Sequence, residues 1–200
     1  MKKIIFTFLL IGFASLSNAQ TYTVPAASPQ QTIEQQFSIS NIKIEYSRPA
    51  VKGRKIFGEL VPFGKVWRAG ANAATKITLN QKVIFGNKVV NSGEYALFII
   101  PEAKNWKIIL NKNANTWGSY TYDEKMNVAE VEVSVQNLTD LKEYFEIKLE
   151  PKSEDSLDLV LSWEKTKVIV PIQAHEPESV KKITKLLQEV KQIQRDANKK

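Results

Sequence analysis

Between Gln31 and Ile172, apolar side chains recur at every second position in short runs that turn-forming residues cut off. A period of two sends alternate side chains to opposite faces of extended chain, so such a sequence must bury one face of many short strands. Ile33, Phe37 and Ile39 share one parity, and Ile42, Ile44 and Tyr46 share the next after a break at Ser40–Asn41. The two runs read as a hairpin. Further strands are predicted at 76–80, 82–85, 88–91, 94–100, 106–111, 119–122, 128–135, 143–150, 157–164 and 167–172. Gly86–Asn87, Asn91–Ser92–Gly93 and Pro151 to Asp155 are among the turn signals between them. No helical period intervenes. The expected fold is all-β, a single antiparallel β-sandwich of jelly-roll-like form over residues 31–175. The run EYALFII at 94–100 is apolar on both parities after Tyr95 and is expected to be a central strand covered on both faces. Trp106 and Trp163 sit inside strong strand patterns and read as core.

Two flanking segments break the period. Residues 1–19 open with Lys2 and Lys3, continue through an apolar stretch from Ile4 to Phe13, and end on Ser17 and Ala19, small residues two apart. That is the plan of a signal peptide cleaved between Ala19 and Gln20, and the run is too short to span about 30 Å of hydrocarbon. The expected mature protein starts at Gln20, has no membrane span, and works in the periplasm or outside the cell. Residues 20–30 hold Pro25 and Pro29 and read as a loose leader. From Pro177 onward, Val180, Ile183, Leu187, Val190 and Ile193 recur at intervals of three and four, which predicts an amphipathic C-terminal helix within 176–200.

Composition then removes whole chemistries. Cys is absent, so disulfides, thiol catalysis and thiolate metal sites are out, and an exported domain must stand on its core alone. The single His, at position 175, removes multi-His metal sites, and no metal or other cofactor is expected. A Ser-His-Asp hydrolase would have to use His175, and no G-x-S-x-G elbow accompanies it. No catalytic residue is assigned. Lys2, Lys3 and the tail supply most of the formal net charge of +7, so the body gives no reason to expect nucleic acid.

Residues 46–75 lack a sustained strand or helix period yet contain Ile56, Phe57, Leu60, Val61, Phe63, Val66 and Trp67. An irregular segment with this much apolar content is an ordered, packed loop. It holds four of the chain's 8 glycines. It also holds three of only four arginines, Arg48, Arg54 and Arg68, in a chain that otherwise uses Lys for charge. A guanidinium offers a planar fork to carboxylate, phosphate or carbonyl oxygen. Two readings follow. Either Arg48, Arg54 and Arg68 contact a ligand, with Asn72 as a hydrogen-bonding side chain and Trp67 as a stacking platform, or the arginines tie the loop to the strands. Trp117, Tyr120 and Tyr122 form a second aromatic group, for which buried packing and a sugar-binding face are the alternatives.

The string YSRPAVKGRKIFGELVPFGKVWRAGANAATKI, followed by SGEYALFIIP, the Trp106 strand, WGSYTYD and the Leu161–Ser162–Trp163–Glu164 strand, resembles domain-of-unknown-function family 2911. The resemblance runs from about Ser28 to Ile172. It implies a small exported protein of the kind found in Bacteroidota-type bacteria, built as one domain. It implies no reaction, ligand or catalytic residue, and it does not reach the tail.

Three functions are consistent with the residues. The first is a non-enzymatic binding module for a carbohydrate or an anionic small ligand, with its site in the 48–75 loop. The second is a hydrolase of envelope or polysaccharide material that uses paired carboxylates, for which Glu45, Glu59, Asp123 and Glu164 are the candidates. The third is a structural or partner-binding envelope module. The sequence leaves the oligomeric state open.

Overall fold

The computed structural model describes residues 24–198, so the signal peptide expected at 1–19 and its cleavage point at Ala19–Gln20 lie outside the described residues. Two antiparallel sheets face each other. The larger has six strands in the order β1 (Gln30–Phe37), β2 (Ser40–Ser47), β3 (Thr75–Leu79), β6 (Gly93–Pro101), β7 (Asn105–Asn111) and β8 (Asn127–Ser134). The smaller has four, in the order β5 (Lys88–Val90), β4 (Val83–Phe85), β10 (Ser156–Ala174) and β9 (Gln136–Ser153). The antiparallel sandwich expected from the strand spacing is the fold, and most neighbours within it are consecutive in sequence. In the β4–β5 hairpin Phe85 pairs with Lys88 across Gly86–Asn87. Gly86 has φ +60°, and a Cβ there would lie 2.5 Å from a Val131 methyl, so this turn needs glycine for both conformation and space.

The core lies between the sheets. Ile42, Ile44, Ile77, Leu79, Leu97, Ile99, Ile108 and Leu110 come from the larger sheet and meet Val83, Phe85, Phe145, Leu159, Leu161, Val170 and Ile172 from the smaller. β6 is buried from Tyr95 to Ile99, as its unbroken apolar run requires. Its outward-facing Ala96 and Phe98 form a second, smaller cluster with Ala74 and Ile109, against which Tyr122 packs.

Three strand boundaries differ from the sequence reading. The two strands expected at 157–164 and 167–172 are one strand, β10. A bulge with Glu164 at φ +55° shifts the inward parity from Leu157, Leu159, Leu161 and Trp163 to Val168, Val170 and Ile172, and that change of phase looks like a break in sequence. The first half of β10 pairs with β9 and its far end pairs with β4. β9 begins at Gln136, well before the expected 143, through a stretch that is largely exposed and so leaves no apolar alternation to read. The strand expected at 119–122 is a turn, followed by a one-turn 3₁₀ helix at Glu124–Met126.

The 46–75 segment is ordered. Val51 N–H donates to Glu143 O and Phe145 N–H donates to Pro49 O, so residues 49–51 cover part of the β9 edge. Ile56, Phe57 and Val61 enter the core. Trp67 then pairs with Ile99 through two backbone hydrogen bonds of 2.7 and 2.8 Å, filling the β6 edge beyond the point where β3 leaves it. The tail forms the expected helix, α1 (Pro177–Ala197), with Pro177 in its first turn. No helix among the described residues is long and apolar enough to cross a membrane.

Candidate functional site

The five residues singled out in the 48–75 segment do not converge on one exposed site. Arg48 Nε donates to Phe145 O at 3.1 Å, and its guanidinium lies 5.7 Å from the centre of the Tyr144 ring. Arg54 Nε donates to Val51 O at 3.0 Å, and its terminal nitrogen donates to Ala50 O at 2.6 Å. Both guanidinia are therefore committed to backbone carbonyls, which brace the loop that covers β9. Trp67 is 7% exposed. It stacks on Trp163 with centroids 5.8 Å apart and meets Phe57, Trp106 and Phe145 edge-on, while its indole N–H donates to Gly70 O at 3.0 Å. It is a core residue, and the expectation of a ligand platform at Trp67 is corrected by that burial. Arg68, the next residue, has the opposite parity and is only partly exposed; its Nε is buried without an acceptor. Asn72 is exposed at φ +61°, and its side-chain amide donates to Ser47 Oγ at 3.4 Å. Among the described residues none of Arg48, Arg54 and Arg68 forms an ion pair.

Asn72 leads to a site that the arginine pattern did not mark. Gly118 N–H donates to Asn72 O, and Ala74 N–H donates to Thr116 O, both at 3.0 Å. Ala73 and Trp117 form an isolated bridge. The loop after β7 is thereby laid along residues 72–74, over the outer face of the larger sheet. Asn111 holds its base: buried, it donates from Nδ2 to Asp123 O at 2.9 Å and accepts from Asn113 N–H at 3.0 Å. Thr116 is buried and shares a hydroxyl–hydroxyl hydrogen bond with Thr121. Tyr122 packs edge-on against Phe98 at 5.1 Å. Thr116 and Tyr122 pin the loop down, and Trp117 and Tyr120 between them face solvent, 67% and 87% exposed.

A groove of about 380 Å³ runs beneath Trp117, with Glu45, Ser47, Lys76, Asn115 and Thr116 along its walls. Its charged groups are neutralised in place. Glu45 Oε2 lies 3.2 Å from Lys43 Nζ and 3.3 Å from Lys76 Nζ, and Lys76 is also 3.6 Å from Glu94. Partial burial pushes the Glu45 carboxyl up, but the hydrogen bonds and charges of Lys43 and Lys76 outweigh it and hold the group below its ordinary range. The other carboxylates considered for hydrolysis stand elsewhere. Glu59 pairs with Lys55 on the surface, Asp123 caps the 3₁₀ turn by accepting from Lys125 N–H, and Glu164 sits at the β10 bulge. His175 Nδ1 lies 3.3 Å from a Glu176 carboxylate oxygen at the end of β10.

A larger cleft of about 710 Å³ lies between α1 and the strand ends near Ser38 and Asp155. Among the described residues no aromatic side chain lines it, and one of its walls is a helix held to the body mainly by Val180. The smaller groove under Trp117 has the more specific chemistry. Its sequence signal was the cluster Asn113, Asn115, Gly118, which marks a loop; reading 119–122 as a strand hid the exposure of the aromatics around it.

The chain matches no curated protein and no solved structure. The family model described as "Protein of unknown function (DUF2911)" matches residues 28–172, which include both walls of the groove and the Trp117 turn, and the chain belongs to that family.

Proposed function

We propose that this protein is an exported, non-enzymatic binding module whose ligand is a carbohydrate held in the groove beneath Trp117. The observation that carries the reading is exposed Trp117 on a braced turn at the edge of a groove with both apolar and polar lining, with exposed Tyr120 three residues further along the same turn. A sugar ring has an apolar C–H face that stacks on an indole and a rim of hydroxyls that needs donors and acceptors. Ser47, Asn115 and Thr116 supply both kinds of group. Lys76 is already matched by Glu45 and Glu94, so among the described residues the groove offers no spare cation, and this favours a neutral sugar over an anion. A hydrolase would need a second carboxylate facing Glu45 and an acid whose pKa is raised; among the described residues Glu45 is the one acid lining the groove, and its pKa is lowered. For the arginine loop, the contacts of Arg48 and Arg54 favour a scaffold role.

The test is calorimetric titration with a panel of neutral oligosaccharides, alongside Trp117→Ala. The expected result is binding of at least one member, weakened about tenfold or more in the variant, with the melting temperature unchanged. Failure of the whole panel, or binding indifferent to Trp117→Ala, refutes the site. Export rests on residues 1–19 and is checked by mass analysis of protein from the native envelope or medium, with Gln20 expected as the first residue.

A further inference from the structure

The C-terminal helix faces the wrong way for a helix that serves only its own domain. Val180 and Thr184 are the only described residues of α1 that are even partly covered, so this side leans on the sandwich. At 3.6 residues per turn, Ile183, Leu186, Val190 and Ile193 are centred about 120° further round. They are 41%, 52%, 50% and 68% exposed. A helix docked on its own core turns its apolar stripe inward. Here the side toward the body carries Val180, Lys181, Thr184, Lys185 and Gln188, with Leu187 at its edge, while Ile183, Leu186, Val190 and Ile193 point away.

We infer that this stripe is a self-association surface, and that its occupant is α1 of a second copy running antiparallel. The stripe has the spacing of a short two-helix seam, with Ile183 and Val190 alternating with Leu186 and Ile193 at intervals of three and four. Along one border Lys182, Glu189 and Asp196 follow at intervals of seven. A two-fold axis near Gln188 sets Ile183 of one copy on Ile193 of the other, and Leu186 on Val190. The same register sets Lys182 against Asp196 twice and Glu189 against Glu189 once. A parallel pairing gives Lys182 and Glu189 no opposite charge, since Leu187 and Gln194 would stand across from them. The two acids on that border also oppose an anionic lipid surface, which a basic amphipathic helix would otherwise suit. The two-fold arrangement leaves each sandwich on the outside of its own helix, so the surface closes on itself. Four aliphatic side chains, each about half exposed, make a small patch at the weak end of interface sizes, so the dimer forms only at elevated concentration.

Sedimentation velocity of the 20–200 chain from about 5 to 500 µM tests this, a range chosen for micromolar association. The expected result is a monomer–dimer equilibrium. Val190→Glu weakens it by about tenfold or more, since it places two carboxylates in the seam. Lys182→Asp weakens it too, and adding Asp196→Lys restores it. Glu189→Gln, which removes the one like-charge contact, tightens it. Far-UV circular dichroism confirms that each variant keeps its helix and strands. A chain monomeric throughout the range, or a dimer indifferent to Val190→Glu, overturns the inference. So does failure of the charge swap to restore association. A monomer that pellets with phosphatidylglycerol vesicles through the same stripe makes the occupant a bilayer and likewise overturns it.

Discussion

Replacing Trp67 by Ala removes the centre of the aromatic core and tests whether the arginine loop is scaffold. The indole contacts Phe57, Trp106, Phe145 and Trp163 with centroids 5.1–6.4 Å away. Truncating a buried Trp to Ala costs about 3–5 kcal/mol, from lost transfer free energy and the cavity left behind. The upper part of that range applies here. The four neighbours belong to β7, β9, β10 and the loop itself, so no single element can shift to close the space. Loss of the indole N–H also leaves Gly70 O, at a buried residue, without its 3.0 Å donor, worth about 1 kcal/mol. The expected cost is therefore about 4–5 kcal/mol. Trp67→Phe keeps a ring but loses the donor and should fall between the variant and the wild type. Urea unfolding at constant slope gives the difference directly from the midpoint. Trp117→Ala, on an exposed side chain, should cost within about 0.5 kcal/mol. A Trp67→Ala protein destabilised by less than about 1 kcal/mol would refute the placement of Trp67 in the core and return it to the surface.

Gly70 has φ +152°, and a Cβ there would lie 2.8 Å from Ser47 O, so Gly70→Ala should destabilise by about 2–4 kcal/mol in the same assay; a loss under 0.5 kcal/mol would contradict the close approach. Truncation after Ala174 should leave a folded sandwich whose melting temperature falls by only a few degrees, because α1 has no fully buried residue; loss of the cooperative melt would show that the helix belongs to the core. The lowered pKa of Glu45 means that its ion pairs stabilise the fold above the unfolded-state pKa and lose that effect as pH falls through the folded one. The stability gap between wild type and Glu45→Gln should therefore be present at neutral pH and shrink below the ordinary carboxylate range, and a gap that widens on acidification would contradict the pairing.

The β-sandwich was legible because alternation is a local property. Ile42, Ile44 and Tyr46 declare a buried face wherever the sheet lies, and Gly86–Asn87 declares a hairpin through its own backbone preferences. The helix was legible for the same reason, down to Pro177 in its first turn. The family was readable from the string that links Arg48 to Ile77, and the packed character of the 46–75 segment from its apolar content.

Which residues of that segment face what was not legible, because it depends on contacts across long sequence separation. Arg48 finds its acceptor on Phe145, 97 residues away, and nothing near Arg48 in sequence announces that carbonyl. Trp67 has the same neighbours in sequence whether it meets solvent or Trp163. Trp117 and Tyr120 are exposed because Thr116 on one side and Tyr122 on the other are anchored, to Ala74 and Phe98, and the sequence shows three similar aromatic side chains among turn formers. The side of α1 that meets the body is likewise a tertiary fact. Sequence periodicity locates an apolar stripe on a helix, but only the path of β10 into α1 decides whether that stripe faces the core or the solvent, since periodicity describes the helix alone and orientation depends on what its ends are attached to.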